Sequence, residues 1–435
     1  LVAARPDDSS VLYDHGRALA GAGRRDEAVA AFRRVLELDP ARNAARVSLG
    51  AELLAAGNPA EARALFDTVL AAEPENAQAL FNRARVDALE GRTDEAIAGY
   101  RAALAIERDN AAVSLNLALA LEAKGDTDAA GRAYAGAIAA DPGLALAHHN
   151  LAAILAARGE KEAALGRYQD AERADPSNAN TPKNMGFLLA DLGRREEAAE
   201  AFRRALALTP DDPDARLGLA DALQALDRRD EALPEYERAL ALREAHAPTH
   251  KNLAFLLSKL NRPEEAAARF QRALALDPSD PDAHCGLADA LFNLHRLDEA
   301  ETHYREALRL KPDFALAHNN LGDLMVRAGR AADAVAAYTR ARELDPANAN
   351  TPANLGRVLA REKRYEEAAE ALRDAVRLAP DDLRARFLLG EVLMNLGLAA
   401  EALPHLQKVA LERPDWQEVR DKLEEALAAA KPAGR

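Results

Sequence analysis

Alanine stands at residues 28, 62, 96, 130, 164, 198, 232, 266, 300, 334, 368 and 402, always 34 residues apart and with no insertion or deletion between them. A fixed period of this size marks a stacked repeat array, in which each unit covers the apolar face of its neighbour. The period overrides the roughly three domains that length alone would suggest. With Ser9 as position 1, twelve repeats start at residues 9, 43, 77, 111, 145, 179, 213, 247, 281, 315, 349 and 383 and fill residues 9–416.

Each period reads as two helices. Position 8 is always small, from Gly16 and Gly50 to Gly356 and Gly390. Position 20 is the invariant alanine. Position 24 is aromatic in ten of twelve repeats, with Leu372 and Leu406 closing the series. Position 32 is proline in ten of twelve, Arg108 and Glu244 being the exceptions. Apolar residues recur at helical spacing on both sides of a short breaker, as in Leu253, Leu256, Leu257 and Leu260, then Asn261-Arg262-Pro263, then Ala266, Phe270, Ala273 and Leu274. Proline lacks the amide hydrogen and fixes φ, so Asp277-Pro278 and its equivalents end the second helix. Small residues at 8 and 20 let the helices approach closely, and the ring at 24 fills the gap.

These residues resemble the tetratricopeptide repeat family, whose signature has a small residue at 8, Ala at 20, an aromatic at 24 and Pro at 32. The resemblance covers residues 9–416 and implies an all-α fold: an α-solenoid of helix-turn-helix repeats forming one continuous right-handed superhelix. Position 4 departs from the family's large apolar residue, holding Leu12, Arg46, His148, Pro182 or His284, so the entry to each first helix is more polar.

Residues 1–8 align with the end of a preceding repeat, and the first residue is not Met, so a fragment or a processed product is expected. At the other end Trp416, Val419, Leu423 and Leu427 form an apolar stripe, with Asp415 as its N-cap, predicting a capping helix over 417–430 and a tail over 431–435. Cys285 is the only cysteine, which rules out an internal disulfide framework. No apolar run reaches the ~18 residues of a membrane span. A net charge of −14 argues against nucleic acid, which requires a basic surface. The abundance of Ala and Arg suggests a bacterial source, and the cytoplasm is the favoured compartment.

The array carries internal echoes. Lys183-Asn184-Met185-Gly186-Phe187 returns 68 residues later as Lys251-Asn252-Leu253-Ala254-Phe255, and Asn178 to Pro182 returns 170 residues later as Asn348 to Pro352. Such duplications place similar chemistry at regular intervals, which suits a long or repetitive ligand.

The resemblance implies that the first helix of each repeat lines a concave groove through positions 2, 5, 6, 9, 12 and 13. Position 6 then presents Asn82, Asn116, Asn150, Asn184, Asn252, Asn320 and Asn354. Carboxamides donate and accept, so this column can bond the backbone of an extended peptide. It is similar to the asparagine ladder in the repeat array of O-linked N-acetylglucosamine transferases. The alternative is that these asparagines make only local contacts; Asp14, Ser48, Gly218, Gly286 and Leu388 interrupt the column. Lys183 and Lys251 at position 5, with Phe187, Phe255, Asp221, Asp289 and Asp323 at position 9, make the groove polar and aromatic beyond Asn180. Val47, Ala51, Leu54, Phe81, Leu115, Leu119 and Leu146 make it apolar before that, a zone that further repeats or a second copy of the chain would cover. Ordinary variation on a solvated face is the other reading. A carboxylate clamp of the chaperone-binding kind needs basic and Asn residues across three consecutive repeats. Leu217-Gly218 breaks that order.

Catalytic and metal chemistry find no support. His148, His250, His284 and His318 recur at position 4, but equivalent positions on stacked helices lie about 8–10 Å apart. Zinc ligands must all sit about 2 Å from one ion, so partly buried structural histidines are expected. Arg83 and Asp87, at positions 7 and 11, suit a structural i,i+4 ion pair. No phosphate loop, His-Glu-x-x-His or Gly-x-Ser-x-Gly motif is present. The reading is a non-enzymatic interaction scaffold without cofactor or metal, holding a protein or peptide in its groove. Two alternatives stay open: the substrate-recruiting part of a larger enzyme such as a glycosyltransferase, and a consensus-like array with no ligand, against which the irregular positions 4 and 9 count.

Overall fold

The computed structural model describes residues 8–430, which contain 25 α-helices and no strand. The chain divides into two compact units, residues 1–211 and 212–435. The first holds repeats 1–6 and the second repeats 7–12 with a final helix, Gln417–Ala429. The end of the preceding repeat (apart from Asp8) and the 431–435 tail lie outside the described residues. Asp8 caps Ser9–Gly21 by accepting from the Ser10 and Val11 amides.

Within each unit helix A takes positions 1–13 and helix B positions 17–30, as in Pro281–Asn293 and Leu297–Leu310. Within each unit successive helices pack on one another, making an α-solenoid. The A–B turn ends on a left-handed residue in all twelve repeats, a glycine in eight and Asp227, Asn261, His295 or Lys363 in the others. Asn and Asp tolerate this conformation best among residues with a Cβ.

The core repeats with the period. All twelve position-20 alanines are wholly buried, and every position-24 residue is at most 3% exposed. Position 8 must be small because the ring at 24 occupies its side-chain space: a Cβ on Gly50 would stand 2.6 Å from Phe66 Cε1. Position 4 is polar for a reason that the pattern alone does not reveal. His148, His250, His284 and His318 each place Nε2 2.9–3.2 Å from the position-32 carbonyl six residues earlier. Arg386 donates to the Pro380 carbonyl in the same way. These side chains satisfy a carbonyl left over where helix B ends.

Two expectations are corrected. Trp416, not Asp415, is the N-cap of the last helix, and the Asp415 carboxylate instead accepts from Arg413 at 2.9–3.0 Å. The buried stripe of that helix runs through Val419 and Ala426, leaving Leu427 44% exposed. Two turns of the helix place 426, rather than 427, over 419. The Arg83–Asp87 pair forms, and buried Asp87 also accepts from Arg63 at 3.0 Å and Arg92 at 2.8 Å.

Candidate functional site

In repeats 7 to 10 the residue at position 24 is matched to the chemistry of the helix-A face above it. In repeats 7, 9 and 10 the ring is tyrosine, and its hydroxyl donates to Oδ1 of the position-9 aspartate: Tyr236 to Asp221, Tyr304 to Asp289, Tyr338 to Asp323, each at 2.5 Å. The position-6 asparagine of the following repeat donates to the same oxygen, Asn252 to Asp221 and Asn320 to Asp289 at 2.9 Å, Asn354 to Asp323 at 3.5 Å. Three helices are thus tied together through one carboxylate oxygen. Burial holds the Asp221 and Asp289 carboxyls above their ordinary range, against the pull of the Tyr and Asn hydrogen bonds. Burial and the adjacent carboxylate push the Tyr236 and Tyr304 hydroxyls up, which keeps them donors.

Repeat 8 replaces this arrangement with an apolar one. Its ring is Phe270, position 9 is Phe255, and the two meet edge to face at 4.9 Å. The next position 6 is Gly286, where a Cβ would lie 2.3 Å from Phe270 Cζ. Lys251, on the same helix as Phe255, pairs with Asp280 at 2.6 Å.

The first unit handles position 6 more variously. Asn150 donates to the Tyr134 hydroxyl at 2.9 Å, and Tyr134 donates to Glu122. Asn184 is hydrogen-bonded to Tyr168 and lies 3.4 Å from His149 Nε2. Asn116 donates to the Ala112 carbonyl of its own helix at 2.8 Å. Asn82 departs from the expected ladder. It is 4% exposed, donates to the Gln78 carbonyl and accepts from Arg85, so no ligand reaches it. Lys183 is half-buried on Asn180–Asp191, and Phe187 is exposed with its ring 4.9 Å from Phe202. Val47 and Leu54 belong to the core rather than to an apolar groove, while Leu119 and Leu146 are exposed.

Four residues singled out from sequence meet in one place. Phe255, Asp289, Asn320 and Asp323 line an open cleft of about 420 Å³ together with Phe292 and Tyr304. Among the described residues neither Asp289 nor Asp323 forms an ion pair. In Asp289 both internal donors take Oδ1, leaving Oδ2 without a hydrogen bond. The cleft therefore offers acceptors beside aromatic faces, a combination suited to peptide N–H groups and to cations.

The histidines are otherwise engaged. His284 Nε2 is on Pro278, and its Nδ1 lies 3.0 Å from His303 Nδ1. Adjacent Cys285 is buried, which pushes its thiol up and away from the reactive thiolate. Among the described residues no three His, Cys, Asp or Glu side chains are grouped to hold a metal ion, and no helix is long and apolar enough to cross a membrane.

Sequence reasoning missed the coupling between positions 24 and 6, although a signal was present. Each of the six tyrosines at position 24 is followed sixteen residues later by asparagine; the phenylalanines are followed by Ser48, Asn82, Gly218 and Gly286. It also missed a larger cleft of about 630 Å³ between the A helices of repeats 11 and 12, lined by Arg357, Arg361, Arg384, Phe387 and Trp416.

Family models described as tetratricopeptide repeat match residues 13–51, 48–112, 90–145, 115–179, 252–313 and 285–349, and others of that description match 359–429 and 211–279. A model described as TPR repeat matches 186–227. No curated protein gives a significant match. Among solved structures, the APC/C hetero-tetramer Cut9–Hcn1 is similar at 14% identity over 96% of both chains, with a TM-score of 0.46. Yeast Tom70 is similar at 18% over 97% of this chain and 95% of that one, with a TM-score of 0.41. A tetratricopeptide repeat protein from Parabacteroides merdae is similar at 19% over 57% of this chain and 98% of its own, with a TM-score of 0.46.

Proposed function

The chain belongs to the tetratricopeptide repeat family, and from that membership we propose that it is a protein-interaction scaffold whose helix-A face binds an extended peptide. The observation that carries this reading is the cleft across repeats 8 to 10, where Asp289, Asp323 and Asn320 stand beside Phe255 and Phe292. A carboxylate oxygen without a partner, held in place by two internal donors, is preorganised for an incoming donor and needs no rearrangement to accept it. The internal network changes the expected role of the asparagines. One N–H of Asn252 and of Asn320 is committed to a neighbouring repeat, so these amides position the aspartates as much as they meet a ligand. Affinity then comes from peptide N–H groups or basic side chains reaching the Asp oxygens. The aromatic faces select what lies beside them.

The test is selection of a random peptide library on the immobilised chain. Binders should lose affinity to Asp289→Asn/Asp323→Asn, a change that keeps the shape and removes the charge. Peptides held equally by wild type, by this variant and by Asn184→Ala/Asn252→Ala/Asn320→Ala would place binding outside the cleft of repeats 8 to 10 and overturn the reading.

A further inference from the structure

We propose that the cleft between the A helices of repeats 11 and 12 is a docking site for an acidic peptide segment carrying an apolar side chain. The inference rests on the reading of the helix-A face as a peptide groove and assigns to one stretch of it a ligand of opposite charge. Arg357 and Arg361 stand one turn apart on Asn350–Arg361, and Arg384 stands on Leu383–Asn395. Arg361 and Arg384 differ from several nearby arginines in lacking a carboxylate. Nearby Arg364 pairs with Glu367 at 2.6 Å, Arg373 with Glu401 at 2.9 Å and Arg377 with Asp374 at 3.1 Å. Among the described residues Arg361 and Arg384 have no carboxylate partner, while Arg357 donates to the Asn354 amide oxygen at 2.8 Å and is hydrogen-bonded to the Tyr338 hydroxyl.

The cleft exists because the repeating network stops. Repeat 11 has Leu372 in place of the ring, Leu388 follows in place of the asparagine, and Arg357 takes the position-9 place of aspartate. Leu372 carries no hydroxyl to anchor a carboxylate, so the column of acceptors turns into donors. The apolar wall is Phe387 against Trp416, with ring centroids 4.8 Å apart. Three guanidinium groups on two helices exceed what a single carboxylate neutralises, and a small inorganic anion would leave the aromatic wall unused. An acidic segment with an apolar anchor satisfies both. Glu391 also lines the cleft; burial raises its carboxyl, and Lys422, Glu418 and Glu425 face it from the last helix.

Trp416 is the only tryptophan of the chain, so its emission reports this cleft alone. The probe is an acetylated, amidated peptide with a Glu-Asp-Phe-Glu-Glu core and no tryptophan, titrated into the full chain. We expect saturable quenching or shift of Trp416 emission with Kd below about 1 mM. Arg361→Glu/Arg384→Glu should raise that Kd tenfold or more, and Arg361→Lys/Arg384→Lys should raise it less. A peptide with Lys in place of the acidic residues should not bind. Absence of binding overturns the proposal, as does a Kd unchanged by charge reversal in a variant of wild-type helicity. Binding that leaves Trp416 silent and is lost in Asp289→Asn/Asp323→Asn also overturns it, while leaving the groove reading intact. Acidic-peptide binding at Trp416, combined with library peptides indifferent to the central aspartates, would uphold this site and overturn the central one.

Discussion

Repeats 8 and 9 have the same fold and differ by one oxygen atom at the heart of the hairpin. In repeat 9 the Tyr304 hydroxyl reaches Asp289, which also takes Asn320 from the next repeat. In repeat 8 Phe270 has no hydroxyl, so position 9 becomes Phe255 and position 6 of the next repeat becomes Gly286. In this pair of repeats the ring is matched by two positions on two helices, one of them the buried Gly286. A buried hydroxyl requires a partner. A bare ring can instead be packed against directly, provided that nothing larger than hydrogen stands over it. What looked like a ladder of ligand-binding asparagines is in part the outward sign of which rings carry a hydroxyl.

The contrast can be broken most severely by giving a phenylalanine repeat the tyrosine repeat's companion. Gly286→Asn places a Cβ against Phe270 Cζ at 2.3 Å and should cost about 1–3 kcal/mol, read as a fall in melting temperature. An unchanged melting curve would mean that the ring at 24 does not control position 6. The converse loss, Tyr304→Phe, takes one of two donors from Asp289 and should cost about 1–2 kcal/mol. Asn320→Ala should cost less, about 0.5–1.5 kcal/mol, because water can reach that side of the carboxylate. Both act on one oxygen, so the double variant should deviate from the sum of the two; strict additivity would deny a shared network.

The smallest effect is a pH dependence. Burial raises the Asp221 and Asp289 carboxyls in the folded state above their unfolded value, so the protonated form is favoured by folding. Their contribution is fully present below the unfolded value, near 3.8, and is lost as pH rises through the higher folded value. Relative to Asp221→Asn/Asp289→Asn, wild type should therefore gain stability as pH falls from 7 toward 4. Denaturant midpoints of the two proteins that stay parallel across this range would show that hydrogen bonding has cancelled the burial.

Much of the fold was legible because its determinants are local and recur. Twelve alanines, ten rings and ten prolines in one register specify hairpins of known length, and the buried positions follow from helical spacing. The candidate site was legible only as a list of positions. Phe255, Asp289, Asn320 and Asp323 do share a cleft, but Asn82 turned into its own helix and Lys251 was taken by Asp280. Val47 and Leu54 went to the core. A period assigns each residue to a face, yet a long side chain chooses among neighbours on three helices, and those neighbours differ from repeat to repeat.

By itself, then, the sequence determined the all-α class, the hairpin boundaries and the identity of the buried alanines and rings, because those depend on backbone hydrogen bonding and on volume at a fixed spacing. Only the tertiary structure decided which polar groups are spent inside the array and which remain for a partner. Asp289 and Arg361 each occupy an ordinary helix-A position in the sequence. Asp289 holds two internal donors and keeps an oxygen, and Arg361 meets no carboxylate among the described residues, because hydrogen bonds and charge pairs are settled by distances across repeats rather than by the period that generates them.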